Sequence, residues 1–399
     1  MPVMQFIVVF AAALLFYLFI PGVGAVLARH RWRVFRRRII TSSTFATAGY
    51  PEVLIGSRAR RERFIGWYRF FGGLESIQGD GLAWLTDGHA SVAVELADAP
   101  VYMVPGGPVD AAAGRERLSL QADQGEVPTA TTWKKVGSLP EGTRMFVAGS
   151  LYGEQGRAVF KGTNGSKPFV IMYDGPDETL VFRSIRDGRQ QNEYWNSVTP
   201  ISLAAGSLSL FILAYLYIGA PLMRIAGLLA ASLGLLPISI LVPPGVILFF
   251  LYRRLWRIGR GLRAERDLLR LPLRYGPPGF TEAVLPDGER YVRREYPADQ
   301  VASEPTLLWR HPSVATDAAE RAIVFGTVNE GEPGEATQLP APPEDPMAER
   351  VALPGDPEFL SEASQRRARI MELSAGVCIL AALVANLYLL ILLVSLLIR

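Results

Sequence analysis

The sequence predicts a multi-pass α-helical membrane protein with four transmembrane helices and a small cytoplasmic all-β domain between helices 1 and 2. Three observations carry this reading. Of 399 residues, 49% are apolar, and they gather in four runs near the length of about 20 residues that a bilayer-crossing helix needs. Arginines cluster beside those runs rather than spreading evenly. Between the first two runs, short β-patterned segments alternate with Gly- and Asp-centred turns.

Transmembrane helix 1 covers residues 4–28. Its leading "MPVMQF" carries no basic side chain, whereas "ARHRWRVFRRR" follows the apolar stretch. A signal peptide has the opposite polarity, so the segment reads as a retained anchor. Helices 2, 3 and 4 cover residues 201–219, 227–252 and 373–398. Lys and Arg close to a span stay on the cytoplasmic side. Arg29, Arg31, Arg33 and Arg36 to Arg38 therefore place the end of helix 1 inside. Arg183, Arg186 and Arg189 do the same for the start of helix 2, the arginines from Arg253 to Arg274 for the end of helix 3, and "SQRRAR" for the start of helix 4. Every flank agrees on both termini outside and both soluble regions in the cytoplasm. The only lysines are Lys134, Lys135, Lys161 and Lys167, an arginine bias that fits a GC-rich bacterial source and hence the bacterial cytoplasmic (inner) membrane. Cys378 is the sole cysteine, which leaves no intrachain disulfide and no thiolate metal cluster.

The soluble region of residues 40–195 reads as β-rich. "GLAWL", "ASVAVEL" and "VYMV" are short strands, and Asp87-Gly88 turns the first into the second. The polar stretch from Pro105 to Thr132 reads as a loop or insertion. Then "TRMFVAGSLY", "RAVFKG" and "PFVIMYDG" form a meander through "GEQG" and "TNGSK", which implies a small barrel or sandwich. "DETLVFRSIRDGRQQNEYW" reads as helix leading into the second span.

On "LPEGTRMFVAGSLYGEQGRAVF", followed by "SIRDGRQQNEYW" and a span, the 73–195 region resembles the membrane-adjacent domain of GIDE-type membrane ubiquitin ligases and their prokaryotic relatives. It is similar, more remotely, to the cytoplasmic domains of NfeD-like bacterial proteins. The resemblance implies an OB-like barrel. The chain lacks the Cys/His framework of a RING, so ligase activity does not carry over.

The entry to helix 2, "GRQQNEYWNSVTPISLAAG", is polar and aromatic. Tyr194 and Trp195 suit the headgroup layer as interface anchors. Thr199 suits a helix cap and Pro200 a first helical position. Asn192 and Asn196, four apart, would share a helix face and are the candidates for docking a partner. After helix 3, a basic juxtamembrane helix (residues 253–275) offers Arg257, Arg260, Arg263 and Arg266 to anionic lipid headgroups. The alternative is that Arg263, Glu265, Arg266 and Asp267 pair with the barrel. Residues 276–360 are Pro-, Gly- and acid-rich, expected to be partly disordered, with one or two strands rather than a second core. Residues 329–346 in particular read as a linker.

The chain holds no H-E-x-x-H, G-x-S-x-G, P-loop or dinucleotide fingerprint, and His30, His89 and His311 stand in unrelated contexts. No catalytic, cofactor or metal residue is therefore assigned. Carboxylates dilute the basic and aromatic residues of the barrel strands, which argues against nucleic acid. The spans carry no charge near their middles. Asn386, Ser207 and Ser209 are suited to joining helices, and Pro237, Pro243 and Pro244 to kinking helix 3. The expected function is that of a non-enzymatic membrane protein whose barrel recruits or organises a partner membrane protein, or a second copy. The alternative is a transport accessory protein or small permease built on the kinked helix 3.

Overall fold

The computed structural model describes residues 2–79, 81–97, 99–105, 128–136, 139–162, 167–190, 193–304, 307–310, 312–313, 320–328 and 338–397. The chain divides into two compact units. A helical unit comprises Met1–Val34, Gln191–Arg260 and Arg366–Arg399, and a sheet unit comprises Phe35–Gln190 and Gly261–Gln365.

In chain order, α1 (Pro2–Leu14) passes through a π-helical turn (Leu15–Phe19) into α2 (Ile20–Ser42). Next come β1 (Ala46–Thr47), α3 (Tyr50–Ser57), β2 (Arg63–Gln78), β3 (Leu82–Thr86), β4 (Ser91–Glu95) and β5 (Pro100–Val104). They are followed by β6 (Thr129–Thr132), β7 (Arg144–Glu154), β8 (Arg157–Lys161), β9 (Phe169–Tyr173) and α4 (Leu180–Gln190). Three helices come next: α5 (Thr199–Ile218), α6 (Arg224–Ser239) and α7 (Gly245–Leu269). The remaining elements are β10 (Glu282–Val284), β11 (Arg290–Pro297), α8 (Ala298–Ala302), β12 (Leu308–Trp309), β13 (Arg321–Val328), β14 (Val351–Leu353) and α9 (Pro357–Leu397).

Among the described residues, four helices are long and apolar enough to cross a membrane: Val3–Ser42, Thr199–Ile218, Pro221–Ser239 and Pro357–Leu397. Large apolar side chains along them, such as Ile7, Leu27, Leu216 and Leu380, are exposed. A helix satisfies its own backbone, so hydrocarbon is a solvent it tolerates and such side chains prefer. Against one another the helices bury Val9, Ala13, Leu210, Ala214, Ala230 and Leu233. Gly206 permits a close approach, because a Cβ there would lie 2.5 Å from Phe16.

The segment expected as one kinked helix over residues 227–252 is two helices. α6 ends at Ser239 and α7 begins at Gly245. Pro243 and Pro244 have no N–H to donate, and their rings clash with a preceding helical turn. Pro237 alone is absorbed within α6. Asn386 of α9 replaces the lost backbone bonds. Its Nδ2 donates to the Ser239 carbonyl at 2.6 Å, and its Oδ1 accepts the Gly245 N–H at 3.2 Å.

The sheet unit contains a nine-stranded mixed sheet. Its pairings close a ring, β2–β3–β4–β8–β7 and back to β2, in which only β4–β8 is parallel. β9, β5 and β6 extend the sheet from β7. Phe70, Leu74, Leu85, Val94, Val147 and Phe160 belong to one buried cluster. Gln155 and Gly156, with φ of 51° and 80°, form the tight connection from β7 to β8, a turn whose twist matches the strands it joins. β2 pairs with β1, β3 and β7. The alternation of its sequence is masked by bulges between Phe64 and Gly66 and between Leu74 and Ser76.

Residues 276–360 also depart from expectation. They form a five-stranded sheet in the order β10-β11-β13-β14-β12, with Phe280, Leu285, Tyr291, Phe325, Val351 and Leu353 in its core. The end of the expected linker is ordered: Thr327 and Ala341 exchange backbone hydrogen bonds of 2.9 and 2.8 Å. Strands of two to eight residues, separated by long intervals, give no local pattern yet together bury a core. Residues 329–337 of that linker lie outside the described residues, as do residues 106–127 of the expected loop.

Candidate ligand-binding site

The last turns of α2 bring Arg37, Arg38 and Ser42 beside β2, β7 and the start of β9, around a pocket of about 210 Å³. Its apolar wall is Phe45, Trp67 and Phe169. The bulge in β2 puts Phe64 and Trp67 close together, with ring centroids 6.4 Å apart. Phe45 lies 5.9 Å from Trp67, and Tyr152 5.4 Å from Phe64, so four aromatic rings form a row. Trp67 is 51% exposed and Phe64 48%. Aromatic rings of this size bury 150–250 Å² each when covered, so a row left open to solvent is a surface for contact rather than a core.

The rest of the lining is largely cationic. Arg37, Arg38, Lys161 and Lys167 contribute to it, and among the described residues no lining residue is a carboxylate. Arg38 lies 5.0 Å above the Phe169 ring and donates to the Lys167 carbonyl, which fixes its guanidinium. Lys161 is partly neutralised, since its Nζ bridges Glu62 at 3.0 Å and Glu154 at 3.1 Å. Those hydrogen bonds, that from Glu62 foremost, raise its pKa above the ordinary lysine value. Arg37 is exposed and has no carboxylate partner among the described residues.

The residues singled out in the sequence are not gathered here. Tyr194 and Trp195 are 40% and 61% exposed, and the Tyr194 hydroxyl donates to the Tyr17 carbonyl at 2.5 Å. Asn192 lies outside the described residues. Asn196 is committed locally: its Oδ1 accepts the Val198 N–H at 3.0 Å, its Nδ2 donates to the Glu193 and Tyr194 carbonyls, and Gly24 packs on it. Asn196 is half-buried, and Glu193 pairs with Arg260 at 2.8 Å.

The proposed lipid contacts divide. Arg260 is held by Glu193 and stacks 4.7 Å above Trp256. Arg266 is held by its neighbour Asp267 on α7, which also takes Arg189 at 2.6 Å. Arg257 and Arg263 are half-buried on α7. Arg183, used as a membrane flank, is 1% exposed and donates to the Asp174 carbonyl. It belongs to the core of the sheet unit.

Sequence reasoning missed the buried ions of the sheet unit. Arg69 of β2 is fully buried, 2.5 Å from the equally buried Asp345 and 3.8 Å from Asp287, and its Nη1 donates to the Ser43 carbonyl at 2.8 Å. Burial, and then the neighbouring Asp345 charge, raise the Asp287 pKa. Burial likewise pushes Tyr275 up to about 12. Glu265, 1% exposed, accepts from the Ser313 N–H and from the hydroxyls of Ser313 and Ser364. An arginine in the aromatic run "GWYRFFGG" is the only local hint of this network.

No protein-family profile, curated protein or solved structure matches the chain.

Proposed function

We propose that the chain is a non-enzymatic protein of the bacterial cytoplasmic membrane, with both termini outside, whose sheet unit lies in the cytoplasm and recruits or organises a partner membrane protein. The closed five-strand ring supports reading that unit as an OB-like barrel, a fold that presents ligands to one face of its strands. The observation that carries the reading is the open row of Phe45, Trp67, Phe64 and Tyr152 beside the cationic pocket. Trp, Tyr and Arg are the residues on which binding energy concentrates at interfaces. Placing a photo-crosslinking side chain at Trp67 in native membranes tests it. One discrete protein adduct that disappears with Phe64→Ala supports recruitment, and the absence of any protein adduct rejects it. Cysteines introduced at exposed positions such as Glu62 and Glu282 should be labelled only from the cytoplasmic side.

A specific observation favours the second reading, a transport accessory or small permease. The chain between α6 and α7 is unwound and held by Asn386, and transporters place such breaks at their binding sites. Solute uptake abolished by Asn386→Leu, with the Trp67 adduct absent, would favour it.

A further inference from the structure

We infer that the pocket walled by Arg37, Arg38, Trp67 and Phe169 binds a small phosphate-bearing ligand, a phosphomonoester whose other end carries a planar or apolar group. The inference rests on the sheet unit being the binding half of the protein, and the pocket shares Phe45 and Trp67 with the proposed partner surface.

Charge comes first. Among the described residues, four cationic side chains line the pocket and no carboxylate does. Glu62 and Glu154 offset Lys161, and the excess positive charge rests on Arg37 and Arg38. A dianionic phosphate suits that balance better than a single carboxylate. Arginine's planar fork also matches phosphate oxygens two at a time.

Preorganisation comes second. Arg38 is already fixed by the Phe169 ring and the Lys167 carbonyl, so less side-chain freedom is lost when a ligand binds. Arg37, exposed one residue earlier, remains available to close over the ligand. Thr41 and Ser150 also line the pocket.

Shape comes third. A volume of about 210 Å³ holds the phosphate end of the ligand and leaves its planar group at the open mouth beside Trp67. The half-exposed Trp67, tilted 45° to Phe45, offers the ring a stacking face. Base–aromatic stacking of this kind tolerates any planar group.

Such a ligand has two sources, a soluble nucleotide or the phosphate headgroup of a lipid. The experiment separates them in full-length protein held in zwitterionic nanodiscs. Binding of adenosine monophosphate, inorganic phosphate, and dioctanoyl phosphatidic acid against dioctanoyl phosphatidylcholine is measured by calorimetry. Adenosine monophosphate should bind, and inorganic phosphate should compete with it. Arg37→Gln, an exposed change, should weaken binding at least about tenfold, and Trp67→Ala should weaken the nucleotide but not inorganic phosphate. Binding of phosphatidic acid in place of the nucleotide, with the same loss in Arg37→Gln, assigns the site to lipid. The inference is overturned if neither phosphomonoester binds at millimolar concentration, or if binding is unchanged in both Arg37→Gln and Trp67→Ala. Because partner crosslinking is scored separately, failure here leaves recruitment standing, and failure of crosslinking leaves ligand binding standing.

Discussion

The two units handle buried polar groups in opposite ways. In the helical unit the buried polar partners are neutral. Asn386 serves the backbone between Ser239 and Gly245, the Tyr17 hydroxyl meets Ser207 and the Leu233 carbonyl at 3.1 Å each, and Ser202 donates to the Phe16 carbonyl. In the sheet unit ions are buried beside neutral groups: Arg69 with Asp345, Arg310 with Glu349, and Glu265 with two serines. The difference follows from what surrounds each unit. A charge facing hydrocarbon has no second partner within reach, whereas a charge inside a folded sheet core can be ringed by carbonyls and counter-ions, at a desolvation cost that the pairing must offset.

The largest test of that contrast is at Arg69. Asp345→Asn leaves a fully buried guanidinium with the more distant Asp287 as its counter-ion. A loss of about 3–5 kcal/mol is expected, the usual effect of removing one partner of a buried pair. It should appear as a lower unfolding midpoint of the purified protein. Replacing both partners, Arg69→Met with Asp345→Leu, should restore most of the loss. If the double variant is as unstable as the single one, the pair is needed for more than mutual neutralisation.

Next comes Glu265→Gln. The amide keeps one acceptor but turns the other into a donor facing serine donors, at an expected cost of about 1–3 kcal/mol by the same readout. In the helical unit the corresponding change, Asn386→Leu, should cost less, about 1–2 kcal/mol, because interhelical hydrogen bonds in membranes are individually modest. Gly245→Ala should act in the same direction, since its Cβ would fall 2.1 Å from Asn386 Nδ2. A larger effect at Asn386 than at Glu265 would break the comparison.

The smallest effect belongs to a surface ion cluster. Lys161→Met removes pairs with Glu62 and Glu154 that are partly open to solvent, for at most about 1 kcal/mol. The sign in pH is fixed: these partners raise the pKa of Lys161, so their contribution is whole below the ordinary lysine value and vanishes as pH climbs through the raised one. The difference in melting temperature between Lys161→Met and the parent should therefore shrink above about pH 10.5.

How much of this was legible in the sequence depended on range. Spans were readable because apolar length is local, and β3, β4, β7, β8 and β9 because alternation and turn glycines are local. β2 was not, since two bulges shift its side-chain register and aromatic residues on both faces hide the alternation. The second sheet was not, because Leu308–Trp309 and Val351–Leu353 are too short to announce themselves. The break after α6 announced itself as prolines, but only the partner, 141 residues further along, shows why it is a break and not a kink. The pocket draws on residues 37–45, Trp67 and 148–169, which nothing in the one-dimensional order connects.

That separation of 141 residues between Gly245 and Asn386 also has a meaning in time. At 5–20 residues per second, the ribosome adds Asn386 on the order of ten seconds or more after Gly245. During that interval the unwound segment relies on its own short bonds, Leu241 N–H to Ile238 and Val242 N–H to Ser239. Its exposed carbonyls and the Gly245 N–H meanwhile need water or a translocon wall. Early membrane insertion therefore leaves the α6–α7 junction provisional, and only arrival of the last helix seals it. A chain truncated before Asn386 should reach the membrane yet remain a substrate for quality-control proteolysis at that junction.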